Sequence, residues 1–186
     1  RSIVAQIDRQ GRKAMGLHSL ASCVVFGKRL FLEDQEQQRR IDVGLVGEVE
    51  WVNAKLLEAL VDAEVVPVIA PIARDRAGGK LNINADSVAG HVAAAVRAEK
   101  LVLVSDTHGI RTSTDSDDTA SSLTKAEIER LIRSGVITAG MLPKVEASIT
   151  ALEGQVTKAH IIDGRIPHSL LLEIYTSGGI GTEIVL

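Results

Sequence analysis

Beyond Trp51 the chain alternates. Aliphatic runs of strand length at 65–69, 101–104, 159–162 and 181–186 are separated by stretches with apolar residues at helical spacing, at 52–63, 84–100, 124–133, 140–152 and 167–175. That alternation restricts the fold to an α/β class, an open and mostly parallel sheet sandwiched by helices, with ligands bound beyond the carboxyl ends of the strands. Aromatic residues make up only 2% of the chain, so the core must be built from Val, Ile, Leu and Ala, as buried parallel strands usually are. The first fifty residues read differently. A helix end over 2–9 closes at Gly11, a strand covers 13–17, and a polar turn covers 18–22. Strands starting at Cys23 and over 43–49 then flank a charged, glutamine-rich tip at 33–40, giving a short antiparallel β section near the N-terminus.

Several classes are set aside at this level. With 186 residues the chain holds one substantial core, or one domain and a piece of another. Net charge is −3 with no basic block, which argues against nucleic acid as a partner. The single cysteine, Cys23, excludes an internal disulfide framework and fits a cytoplasmic setting. No apolar run reaches membrane-spanning length and no signal peptide is visible, so no membrane partner is expected. The chain opens on Arg1 rather than Met, which suggests processing or a fragment. There is no P-loop, no G-x-G-x-x-G fingerprint and no nucleophile elbow, and the five histidines have no metal-ligand spacing.

Four places put polar groups where such a sheet would use them. Asn82-Ile83-Asn84-Ala85-Asp86 opens the helix at 84; on spacing alone Asn84 is an N-cap and Asp86 a first-turn acid facing the helix dipole. Ser105-Asp106-Thr107-His108-Gly109 follows the strand at 101–104, where the carboxylate suits a ribose, a metal or an amine, and equally a turn. Gly140-Met141-Leu142-Pro143-Lys144 opens another helix, whose N-terminus offers amides to phosphate. Lys144 there opposes the dipole, and an anionic ligand is its natural counterpart. Ile161-Ile162-Asp163-Gly164-Arg165 ends a strand with an acid and a base around glycine, a pattern that favours a turn with an internal ion pair over a catalytic role.

Taken in order, these segments together with Val66-Pro67-Val68-Ile69-Ala70-Pro71-Ile72 and Val43-Gly44-Leu45-Val46-Gly47-Glu48-Val49 resemble the acetylglutamate kinase branch of the amino acid kinase family. The resemblance runs with matching gaps from about Gly11 to the end and is most specific between Pro67 and Leu186. It fades over 18–31, where the family has a turn rich in glycine, lysine and aspartate and this chain has His18-Ser19-Leu20-Ala21-Ser22.

The resemblance implies transfer of the γ-phosphoryl of ATP to N-acetyl-L-glutamate, with Mg²⁺ on the phosphates, as a step of arginine biosynthesis. It implies that Lys144 stabilises the transferring phosphoryl group and that Asp86 organises the active-site lysines. Asn82 and Asn84 would bind substrate, and Ser105, Asp106, Gly140 and Met141 would line the nucleotide side. No protein side chains are implied as metal ligands. Residues 1–98 would be the remaining part of the amino-acid-substrate lobe and 99–186 the nucleotide-binding lobe. A homo-oligomer is implied, with an arginine effector or a signalling protein as further partners; the tail Gly178-Gly179-Ile180-Gly181-Thr182 is similar to that of the arginine-regulated branch. In the family a lysine-ended strand, two glycine-rich loops and the helix used to build hexamers precede the segment matched here. The chain is therefore expected to correspond to the C-terminal part, with the first strands of the fold absent. The alternatives are another member of the same family, or a non-catalytic nucleotide-binding module.

Overall fold

Residues 2–18, 22–34, 39–116, 118–176 and 179–186 are described by a computed structural model of the chain. They pack as two units, Arg1–Val88 and Ala89–Leu186. The middle of the expected polar turn (19–21), the hairpin tip (35–38), Asp117, and Gly178 of the glycine tail lie outside the described residues.

In the first unit, α1 (Ile3–Arg9) begins at Ser2, whose Oγ accepts the Ala5 amide at 3.2 Å, and ends ahead of Gly11 as its spacing predicts. β1 (Lys13–Leu17) pairs in parallel with β4 (Val65–Ile69). β2 (Val25–Asp34) and β3 (Arg39–Val52) form an antiparallel hairpin of 10 and 14 residues, longer than the short strands expected. Register shifts between Phe26 and Gly27 and between Arg29 and Phe31 let so long a ribbon twist sharply. β5 (Ile72–Arg74) and β6 (Lys80–Asn82) flank a turn at 75–79 and pair antiparallel. The pairings of β2, β3, β6 and β5 close into a barrel, and Val24, Val25, Ala73 and Leu81 are buried. α2 (Ala54–Asp62) lies between β3 and β4, capped by Asn53, whose Oδ1 accepts the Leu56 amide at 3.3 Å. Asn84 caps α3 (Ala85–Ala95): its Oδ1 accepts the Ser87 amide at 3.0 Å.

α3 stops five residues before the expected end at Lys100. Arg97 takes a left-handed φ of 48°, and the Ala98 amide reaches back to the Ala93 carbonyl at 2.9 Å. This is a helix-ending turn, and it delivers the chain to β7 (Lys100–Ser105). The second unit continues with β8 (Ser122–Thr124), α4 (Lys125–Arg133), α5 (Leu142–Glu153), β9 (Lys158–Asp163), α6 (Ser169–Tyr175) and β10 (Thr182–Val185). Its sheet runs in the order β7-β9-β10-β8. β7 and β9 are parallel, as are β10 and β8, while β9 and β10 are antiparallel. Thr124-Lys125-Ala126-Glu127 has the spacing of a capping box, and α4 forms one: the Thr124 Oγ1 accepts the Glu127 amide at 3.3 Å, and Glu127 Oε2 accepts the Thr124 amide at 2.8 Å. The core is aliphatic, as the scarcity of aromatics requires, with Ile128, Val145, Leu152, Ile161 and Ile184 buried together. At Gly90 the second half of α3 meets α5 so closely that a Cβ would stand 2.5 Å from the Ala147 carbonyl oxygen.

Candidate functional site

Parallel pairing brings the carboxyl ends of β7 and β9 side by side, with Ser105 opposite Asp163. The chain leaving β7 is pinned at both ends of its first loop. At the near end the Gly164 amide donates to the Ser105 carbonyl at 2.8 Å. At the far end the buried Thr182 Oγ1 accepts the Ile110 amide at 2.9 Å and donates to the Ala120 carbonyl at 2.6 Å. Gly109, at φ 140°, makes that approach possible, since a Cβ there would stand 2.5 Å from Thr182 Oγ1.

The loop, the turn after β9 and the start of α5 surround a cavity of ≈ 800 Å³. Ser105, Asp106, Gly140, Met141 and Lys144, five residues singled out from the sequence, all line it. That volume lies within the range of pockets for small organic ligands. Thr107 lines it as well, and its buried Oγ1 has no hydrogen-bond partner among the described residues, a cost that a polar ligand would remove. The start of α5 differs from expectation in one respect. The amides of Met141 and Leu142 both donate to the Thr138 carbonyl at 3.0 Å, the Lys144 amide bonds the Met141 carbonyl at 3.1 Å, and Pro143 has no amide hydrogen. A local turn thus takes up amides that phosphate was expected to use. What this end offers an anion is its dipole and the Lys144 side chain.

The segment 161–165 forms the ion-paired turn the sequence favoured, and it does more. Asp163 is 1% exposed. Its Oδ1 accepts the Arg165 amide and Nε–H, each at 2.9 Å, and its Oδ2 accepts Nη2–H at 2.7 Å. The same Oδ2 lies 3.1 Å from His108 Nδ1, on the loop after β7. The bonds from the Arg165 side chain, then from its amide, bring the Asp163 carboxyl down to about 2 in spite of burial. Arg165 and His108 both line the cavity. Neither was ranked among the site residues, because a pair two residues apart reads as a local turn. The available signal was that two strand ends carry polar loops, which a parallel sheet sets next to each other.

Asn82, Asn84 and Asp86 belong to the first unit. Asn82 ends β6, opposite Val46 and Ile72, Asn84 caps α3, and Asp86 is half-buried in its first turn.

The amino acid kinase family profile matches residues 1–163. The chain belongs to the amino acid kinase family. An acetylglutamate kinase of Methanococcus maripaludis (strain C6) is 44% identical over 186 residues, covering 98% of this chain and 63% of the relative. An acetylglutamate kinase of Symbiobacterium thermophilum is 45% identical over 188 residues, covering 100% of this chain and 64% of the relative. The chain therefore spans a little under two thirds of these relatives. The N-acetylglutamate synthase of Neisseria gonorrhoeae, solved with coenzyme A and L-arginine, shares the fold, with a TM-score of 0.81 at 24% identity over 94% of this chain and 38% of that one.

This amino acid kinase chain has a second polar cavity, of ≈ 380 Å³, lined by His160, Glu173, Glu183, Lys158 and the backbone at Gly179 and Gly181. Sequence reasoning missed it, since His160 and Glu173 lie 13 positions apart with no motif between them. The buried Glu173 Oε1 lies 2.6 Å from His160 Nδ1, and Oε2 accepts the amides of Ile180 and Gly181 at 2.7 and 3.1 Å. Burial pushes the Glu173 carboxyl up, but the Ile180 amide, His160 and the Gly181 amide together hold it below the usual range. His160 Nε2 is buried without a hydrogen-bond partner among the described residues. Among the described residues no three His, Cys, Asp or Glu side chains group to hold a metal ion, and no helix is long and apolar enough to cross a membrane.

Proposed function

We propose that this chain carries the nucleotide side and part of the substrate side of an acetylglutamate kinase, in which ATP and N-acetyl-L-glutamate give ADP and N-acetyl-L-glutamyl 5-phosphate. A substrate carboxylate oxygen bonds the γ-phosphorus as the bond from that phosphorus to the β–γ bridging oxygen breaks, and ADP leaves with the electron pair. The observation that carries this reading is the convergence of Ser105, Asp106, Gly140, Met141 and Lys144 on one cavity at the carboxyl ends of β7 and β9. Identities of 44–45% to acetylglutamate kinases support the choice of substrate.

Transfer of this kind needs positioning and charge stabilisation more than covalent chemistry. Lys144 supplies positive charge where the phosphoryl group carries its negative charge, and Asp106 with its neighbours faces the nucleotide. Magnesium would travel on the phosphates, since it commonly binds one or two carboxylates plus phosphate rather than an all-protein cage; Asp106 is the carboxylate in reach of that role. In the other unit, Asn82 and Asn84 act on the amino acid substrate, and Asp86 orders lysines through charge-assisted bonds. The functional division is a substrate lobe over 1–98 and a nucleotide lobe over 99–186. Homo-oligomerisation and a signalling-protein partner belong to the same reading. An arginine effector belongs to the same reading.

The test is calorimetric titration with ATP combined with an assay for ADP release on adding N-acetylglutamate, aspartate, glutamate or carbamate. ADP release that depends on N-acetylglutamate is expected. Release with a different acceptor would make the chain another member of the family, and ATP binding with no turnover on any acceptor would leave a nucleotide-binding module.

A further inference from the structure

The Asp163 carboxylate is saturated: both oxygens are occupied by the Arg165 amide, the Arg165 guanidinium and His108. So occupied, it is neither a base nor a free ligand for a metal. Nor is it required to hold the turn after β9, because the Gly164 amide already ties that turn to the Ser105 carbonyl at 2.8 Å. A turn-closing ion pair also has no need of a histidine from the neighbouring strand's loop. What the cluster does achieve is to fix the direction of Arg165. The guanidinium is gripped through Nε and Nη2, while its side chain is 61% exposed and lines the cavity that Lys144 also lines. A guanidinium carries five N–H donors, so the Nη1 edge stays available to a ligand.

We propose that Arg165 is a phosphate-contacting residue of this cavity, and that Asp163 is a positioning residue which aims Arg165, with His108 braced on the same carboxylate, at the phosphate chain of a nucleoside polyphosphate. The inference rests on the nucleotide reading of the cavity. Asp163 and Arg165 cancel in net charge, so the pair adds directed donors rather than a further diffuse positive charge. Arginine suits that task because its fork matches phosphate oxygens in a way an ammonium does not.

The experiment is calorimetric titration of the protein with Mg·ATP, Mg·ADP and adenosine, on the unaltered chain and on Arg165→Lys, Asp163→Asn and the double variant. Arg165→Lys keeps the charge, removes the fork and changes an exposed side chain, and a denaturant melt of each variant confirms that it is folded at the titration temperature. It is expected to weaken ATP and ADP about tenfold, the scale of one charge-assisted bond, and to leave adenosine unchanged. Asp163→Asn should act in the same sense, and the double variant should be no worse than the stronger single one. Unaltered polyphosphate affinity in Arg165→Lys overturns the proposal and leaves the nucleotide reading standing. Equal weakening of adenosine also overturns it, since that is the mark of a merely structural pair. Failure of the unaltered chain to bind ATP removes the nucleotide reading and the proposal together.

Discussion

In the unit ending at Val88 the ion pairs stand in water: Lys28 with Glu48 at 3.0 Å, Arg29 with Asp42 at 2.9 Å, and Arg76 with Glu50. The unit from Ala89 onward has exposed pairs too, such as Lys125 with Glu153, but it also takes polar groups inside. Ser148, His160, Asp163, Ser169, Glu173 and Thr182 are all buried there, and the first unit has no counterpart among the described residues. A buried polar group costs free energy unless it is fully bonded, so it persists where a geometry has to be fixed. Three of the six fix a loop at a cavity. Thr182 and Asp163 hold the two sides of the larger one, and Glu173 holds the 180–181 backbone at the smaller. The contrast teaches where to look for function: at satisfied buried polar groups next to open space, rather than at ion pairs as such.

The largest effect expected on that contrast is in catalysis. On the proposed kinase reading, Lys144→Ala should lower kcat about 10²- to 10³-fold with little change in the KM for N-acetylglutamate, because the charge Lys144 would meet develops in the transition state. Steady-state kinetics of the enzyme would show it. An unchanged kcat would take Lys144 out of the chemistry and leave the larger cavity without its main cation.

Next comes Asp163→Asn, read through pH. With its pKa lowered from 3.8 to about 2, Asp163 releases its proton more readily folded than unfolded. Its contribution to stability is therefore complete above about pH 4 and is lost as pH falls through 2. Denaturant melts of the unaltered chain and the variant should differ by a constant amount from pH 7 to pH 4, then converge toward pH 2. A gap that persists at pH 2 would assign the loss to packing and not to the charged clamp.

Thr124→Ala sits lower on the scale. It removes one half of the capping box at α4 and should cost about 1 kcal/mol in a denaturant melt. A neutral result would mean that β8 pairing alone fixes the start of that helix.

That capping box was legible because its signal is local, and so were the bounds of β1 and β4, each a continuous run with a turn residue close by. The three-residue strands β5, β6 and β8 were not, since three positions are too few to show a period, and β8 exists only through its distant partner β10. The site divides in the same way. Ser105, Asp106, Gly140, Met141 and Lys144 carry strand-end and helix-start patterns, and they meet in one cavity. His108 against Asp163, and His160 against Glu173, are joined by sheet register or by a helix folding back, which spacing does not encode.

The smallest expected effect tests the other half of the contrast. Lys28 and Glu48 face each other across β2 and β3, with side chains 64% and 51% exposed. At such exposure water screens the attraction, and holding two long side chains in one geometry offsets most of the remainder. Glu48→Gln keeps the shape and removes the charge, so it should shift stability by less than about 0.5 kcal/mol, and by still less in concentrated salt. A loss well above that, insensitive to salt, would mean that an exposed pair in the first unit fixes structure as the buried groups of the second do. The rule that separates the two units would then rest on something other than burial.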